Sequence, residues 1–204
     1  MDARLDRTVT SGPVTLEGRT VDVKSNVYVI GDRFTCVLID APHNIDLIMQ
    51  LIGDRILQGI ICTHAHEDHI RLAPTISMRT GAPILLHASD LPLWKEVHPD
   101  AAPHGMLRDD QEIEVGRTTL KVLHTPGHTP GSVSFWWPDS RTVFTGDTLP
   151  IDASDATNER WTDHDQLRRS IDERLLCLGD DVIVKPGHGP ETTLGVERER
   201  RRPE

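Results

Sequence analysis

The sequence predicts an α/β (α+β) chain in which β-sheets are covered by helices, and three observations carry that expectation. Short apolar runs rich in β-branched residues recur between turn signals. Two longer stretches repeat apolar residues at helical spacing instead. Their order mixes strand-only stretches with strand–helix alternation, which neither a helical bundle nor a pure β-sandwich produces. At 204 residues the chain is long enough for one sizeable core, so a single domain over 1–204 is expected.

Taken in chain order, strands are expected at "NVYVI" (26–30), "CVLI" (36–39), "GIIC" (59–62), "PILL" (83–86), "TLKVLH" (119–124), "SVSFWW" (132–137), "TVFT" (142–145) and "DVIV" (181–184). If 132–137 is a strand, Trp136 and Trp137 face opposite ways and at least one of them enters the core. The spacing predicts a helix over 44–52, with Asn44 as its N-cap, and another over 163–178; shorter helices are expected near 70–80 and 89–97. The tail "VERERRRPE" (196–204) has no apolar face and is expected to be solvated and disordered. Cys36, Cys62 and Cys177 are odd in number, widely spaced and set among apolar residues, which reads as buried free thiols rather than a disulfide framework.

Charge narrows the partners. Against 22 basic residues stand 32 acidic ones, a formal net charge of −10, and such a surface repels phosphate backbones and anionic lipid headgroups. Neither nucleic acid nor a membrane is expected as a partner. The opening "MDARLDRTVT" has no apolar signal-peptide core and no later run approaches membrane-spanning length, so a cytoplasmic location is expected.

The chemistry is concentrated at 61–70, "ICTHAHEDHI", where three histidines and two acids directly follow an apolar run. Imidazole and carboxylate are ligands for divalent metal. A strand ending at Thr63 would deliver them at a sheet edge, His64 and His66 facing one ion, Asp68 and His69 a second. Three later runs also end in turns that carry a ligand-type residue beside glycine: "HTPGHTPGS" (124–132), "VFTGDTL" (143–149) and "IVKPGHGP" (183–190). They offer His128, Asp147 and His188. A carboxylate such as Asp147 can place one oxygen on each of two cations. Asp40 ends the strand "VLIDAP", where an unpaired acid would be costly, and is expected to orient the histidine loop from behind. His43, His87, His98, His104, His124 and His164 lack such context and are expected at the surface, in loops or as satisfied core residues; Glu67 and the acids of 152–159 read as solvated charges.

These residues resemble the metallo-β-lactamase superfamily, and within it the glyoxalase II-like hydrolase branch. The matching signatures are "THAHEDH" (63–69), "TPGHTPGS" (125–132), "TGDTL" (145–149) and "PGHG" (186–189), with Asp40 at the family's early strand-end aspartate. The resemblance implies a four-layer αββα sandwich of two mixed β-sheets flanked by helices, with a dinuclear site at one edge. It implies one metal held by His64, His66 and His128, another by Asp68, His69 and His188, and Asp147 with a hydroxide bridging them. The ions would be two divalent cations, zinc first, with iron or manganese as alternatives.

The expected activity is hydrolysis of thioesters of a small cytosolic thiol. A hydroxide nucleophile is available at neutral pH because the cations acidify water, and Asp68 orients it. Glyoxalase II proper continues into a helical extension with basic residues for glutathione, whereas this chain ends shortly after His188, which points away from glutathione thioesters. After "TGDTL" the chain reads "PIDASDATNERW" in place of the aromatic and Gly-Pro-rich turn of many relatives, so one pocket wall differs. Competing expectations are a persulfide dioxygenase with one ferrous ion on His64, His128 and Asp147, a lactamase or other metallo-hydrolase, and a metal-binding module without catalysis. The thiol, the acyl group, the metal and the oligomeric state are left open by the pattern.

Overall fold

The computed structural model describes residues 3–16, 19–149 and 159–201. Among them, the first sheet holds β1 (Arg4–Leu16), β2 (Arg19–Gly31), β3 (Thr35–Ile39), β4 (Ile56–Ile61), β5 (Ile84–His87) and β6 (Gly105–Leu107), adjacent in chain order. The second holds β7 (Glu112–Val115), β8 (Thr118–His124), β9 (Val133–Trp137), β10 (Thr142–Gly146), β11 (Ile183–Pro186) and β12 (Thr192–Thr193), again in order. Both are mixed: β3 to β6 pair in parallel, as do β10 and β11, and the remaining pairs are antiparallel.

Alternation along the strands sorts the apolar residues into three cores. On β2, Tyr28 and Ile30 face the other sheet while Val27 and Val29 face outward, and on β3 Val37 and Ile39 alternate with Cys36 and Leu38 in the same way. The inward set meets Leu120, Val122, Val133, Phe135 and Phe144 between the sheets. The outward set is covered by α1 (Ile45–Ile52), α2 (Glu67–Ile70), α3 (Ala73–Thr80) and α4 (Leu91–Val97), through Ile48, Ile52, Ile70, Ile76 and Trp94. On the far side, Leu123, Val143 and Val184 pack under α5 (His164–Ser170) and α6 (Leu194–Arg200). The result is the four-layer αββα sandwich. Strands buried on both faces read as continuous apolar runs, which is why the central ones were visible in the sequence.

Several expectations hold in detail. Asn44 caps α1, its side chain accepting from the Leu47 amide at 3.2 Å. Trp137 joins the inter-sheet core while Trp136 packs on the opposite face.

Others need correction. The helix expected over 163–178 changes pitch after Ser170, passing through a π-helical turn at Ile171–Leu175 and a 3₁₀ turn at Leu176–Leu178. The tail is helical as far as Arg200, not disordered from 196, because Thr193 caps α6, Leu194 is buried and Glu197 pairs with Arg200. Cys36 and Cys62 are buried free thiols, but Cys177 is exposed. The acids of 152–158 lie outside the described residues. No helix among the described residues is long and apolar enough to cross a membrane.

Candidate metal centre

The ends of β3, β4, β8, β10 and β11 carry the candidate residues to one edge of the paired sheets. Asp40 follows β3 with a left-handed backbone (φ 60), rare for a non-glycine residue, and this turn directs its carboxylate back into the fold. There it accepts three bonds: from the Thr63 amide at 2.7 Å, the Thr63 hydroxyl at 2.8 Å and His69 Nδ1 at 2.8 Å. Because it donates its O–H to Asp40, the Thr63 hydroxyl accepts from His64 Nδ1 at 3.1 Å. His188 Nδ1 donates to the Lys24 carbonyl at 2.7 Å. Each donation occupies Nδ1, so His64, His69 and His188 all turn Nε2 toward the site as the nitrogen left for a metal.

Those nitrogens converge with the other candidates. His66 Nδ1 lies 3.1 Å from His64 Nε2 and 2.9 Å from His128 Nε2. His188 Nε2 lies 3.2 Å from His69 Nε2 and 3.1 Å from Asp68 Oδ2. Asp147 stands between the two groups, its Oδ2 3.3 Å from His188, 3.5 Å from His128 and 3.8 Å from His64, its Oδ1 3.4 Å from His69. Ligand atoms about 2.0–2.1 Å from a tetrahedral ion stand about 3.3 Å apart, which is the scale of these separations. Three overlapping groups arise: His64/His66/His128, His64/His69/Asp147 and Asp68/His69/His188.

The donor set fits metal on grounds beyond spacing. The Nε2 atoms of His69 and His188 stand 3.2 Å apart with the Asp68 and Asp147 carboxylates beside them, a donor set that a shared cation satisfies. Asp147 Oδ1, which faces the site, is buried without a hydrogen-bond partner among the described residues. Gly187 closes the cradle, since a Cβ there would sit 2.3 Å from Asp147 Oδ1 and 2.6 Å from His69 Cε1.

Electrostatics divides the site. Burial lowers His64, His66 and His128, and His69 nearby adds to it for all three, with His128 the larger neighbour for His66, which falls to about 3; all three are neutral at neutral pH. Burial acts the same way on His69 and His188, but the Asp147 and Asp68 carboxylates outweigh it and raise them to about 10 and about 12. Burial alone would raise Asp68, yet His69 and His188 hold it down at about 2. This half of the centre attracts positive charge, which a proton or a metal ion supplies.

All seven expected ligand residues and Asp40 therefore meet at one place. The six other histidines stay outside these groups: His98 Nε2 donates to the Ile70 carbonyl, His104 Nδ1 accepts from the Ile84 amide, and His87 stacks on His124 at 4.1 Å. His43 is buried, and Glu67 is bound to Arg71 at 2.6 Å rather than free in solvent. The sequence reading missed Thr63 and Asp90. Thr63 lay inside "THAHEDH", but a hydroxyl next to a ligand carries no signal until its partner across the sheet is known.

The fold and this edge of ligands define the class: the chain belongs to the metallo-beta-lactamase superfamily, whose family model matches residues 20–197. Among its relatives, it is 31% identical over 193 residues to "Probable metallo-hydrolase YqgX" of Bacillus subtilis, covering 87% of this chain and 91% of that protein. It is 30% identical over 182 residues to "Hydroxyacylglutathione hydrolase GloC" of Haemophilus influenzae, covering 82% and 86%. It is similar to the crystal structure of TTHA1623 in a di-iron-bound form, with TM-score 0.77, 32% identity and coverage of 92% of this chain and 96% of that one.

Proposed function

We propose that this chain hydrolyses thioesters of a small cytosolic thiol, using two divalent ions, zinc first and iron or manganese as alternatives, held by His64, His66 and His128 on one side and Asp68, His69 and His188 on the other, with Asp147 shared. The observation that carries the reading is the set of hydrogen bonds that occupies Nδ1 of His64, His69 and His188 and turns their Nε2 atoms toward Asp147. Divalent ions bound there bring water into the neutral range of acidity and polarise an acyl carbonyl. The chain's own residues do the rest. Asp68 is held ionised, so it can only accept; it takes a hydrogen bond from the attacking water and orients it toward the acyl carbon. A thiol with a pKa of about 8.5 leaves as thiolate, so no side chain has to protonate it. Similarity to a hydroxyacylglutathione hydrolase supports this substrate class, and the acidic surface speaks against nucleic acid.

A second reading draws on His64, His128 and Asp147, whose ligand atoms form a two-histidine, one-carboxylate set suited to one ferrous ion and oxidation of a thiol persulfide. Retention of the Asp68, His69 and His188 group does not exclude this reading; similarity to a hydroxyacylglutathione hydrolase is what favours the hydrolase.

Metal analysis of the purified protein, joined to a panel of S-acyl thiols with a thiol-detecting readout, tests the proposal. Two ions per chain and thiol release are expected, and Asp147→Ala should lose at least about 100-fold in rate with its circular dichroism retained. Full activity in Asp147→Ala would end the shared-ligand assignment. Oxygen uptake with a persulfide and one iron per chain would select the second reading.

A further inference from the structure

We propose that Asp90 is a positioning residue for one metal of the pair: it ties the loop of His64 and His66 to the loop of His128 and leaves the Asp68, His69 and His188 group untouched. The inference rests on the metal centre proposed above and deepens it.

Asp90 is fully buried and ends the 3₁₀ turn before α4. An aspartate directly before a helix ordinarily caps it with its side chain. This one does not: its carboxylate makes no capping bond to α4, whose second residue is Pro92. Both oxygens turn to the metal loops instead. Oδ2 accepts from the amide of Ala65, the residue between His64 and His66, at 2.9 Å, and from the hydroxyl of Thr129, directly after His128, at 2.8 Å. Oδ1 accepts from the Gly131 amide at 2.6 Å. One carboxylate thus spans two loops whose ligands meet at His66 Nδ1 and His128 Nε2, 2.9 Å apart.

Gly131 supplies an independent observation. A Cβ there would lie 2.6 Å from Asp90 Oδ1 and 2.7 Å from its Cγ, so the second loop has a side-chain-free position where the carboxylate docks. The other half of the centre has its own support, since His69 is held by Asp40 and His188 by the Lys24 carbonyl. Among the described residues Asp90 makes no hydrogen bond or ion pair to either. Its removal leaves the Ala65 and Gly131 amides buried without an acceptor, and the two loops lose their fixed spacing.

The test uses zinc alone, titrated against a chromophoric chelator, in two backgrounds that each retain one half of the centre. In His188→Ala the remaining strong site is His64/His66/His128, and adding Asp90→Ala should weaken it about 10- to 100-fold. In His66→Ala the remaining site is Asp68/His69/His188, and adding Asp90→Ala should leave it unchanged. Gly131→Ala, which keeps the charge but displaces the carboxylate, should reproduce the same asymmetry and carries the test if Asp90→Ala does not fold, as judged by thermal unfolding in chelator. Equal losses in both backgrounds, or none in either, overturn the inference alone. A wild-type protein that binds no zinc overturns the metal centre and this inference with it.

Discussion

At Gly187 the site leaves no room for even a methyl group. The Cβ of an alanine would lie 2.3 Å from Asp147 Oδ1 and 2.6 Å from His69 Cε1, so Gly187→Ala must push the Asp147 carboxylate or the imidazole aside. We expect metal affinity and turnover to fall by at least about 10-fold while the fold persists, read by metal content after gel filtration and by thiol release. Native metal content in that variant would mean the cradle yields to a methyl group. The contrast with the ligands explains what could be read from the sequence. His64, His66, Asp68, His69, His128, Asp147 and His188 stood out because they are ligand types gathered at strand ends, where core residues are expected. Asp40 stood out as an acid closing an apolar strand. Gly187, Thr63 and Asp90 have commoner local uses in a turn, a strand end and a helix start, and only the three-dimensional neighbours reveal the role.

Among the elements, the β1–β2 hairpin was the least legible and is tied closely to the site. β1 lies at a sheet edge and mixes threonine, aspartate and arginine with valine, so no apolar run marks it, and the sequence reading began β2 only at residue 26. Yet β2 reaches across to the loop of His188. Asn26 Nδ2 donates to the Pro186 and Gly189 carbonyls at 2.9 and 3.0 Å, the Tyr28 hydroxyl donates to Pro186 at 2.9 Å, and Arg7 from β1 holds Asn26 Oδ1 at 2.7 Å. "NVYVI" was legible as a strand; its service to a loop some 160 residues onward was not. Asn26→Ala should cost about 1–3 kcal/mol, because the Gly189 carbonyl loses its closer donor and Arg7 its closer acceptor. Denaturant unfolding of the metal-free protein measures it. The same variant should weaken metal binding at the His188 side, and a variant as stable as wild type would show that solvent replaces the clamp.

For the molecule as a whole, sheets from both halves of the chain deliver carboxylates and imidazoles to one edge, and the balance between them makes metal loading a proton exchange. Without metal, His69 and His188 are raised to about 10 and about 12, above neutral pH, so each holds a proton there. His66, at about 3, and Asp68, at about 2, hold none. Metal must therefore displace protons from one half of the centre and not from the other. At pH 7.5 full loading should release about two protons per chain from the imidazoles and up to about one more from acidified water, and affinity for the ion at Asp68, His69 and His188 should weaken by about tenfold per imidazole proton for each unit the pH falls. The ion at His64, His66 and His128 should be nearly insensitive to pH over the same neutral range, since its three imidazoles are already neutral. Calorimetric titration in buffers of different ionisation enthalpy counts the protons. A count of zero would mean that the carboxylates do not hold protons on His69 and His188, and that the charge balance of this edge is set elsewhere in the molecule.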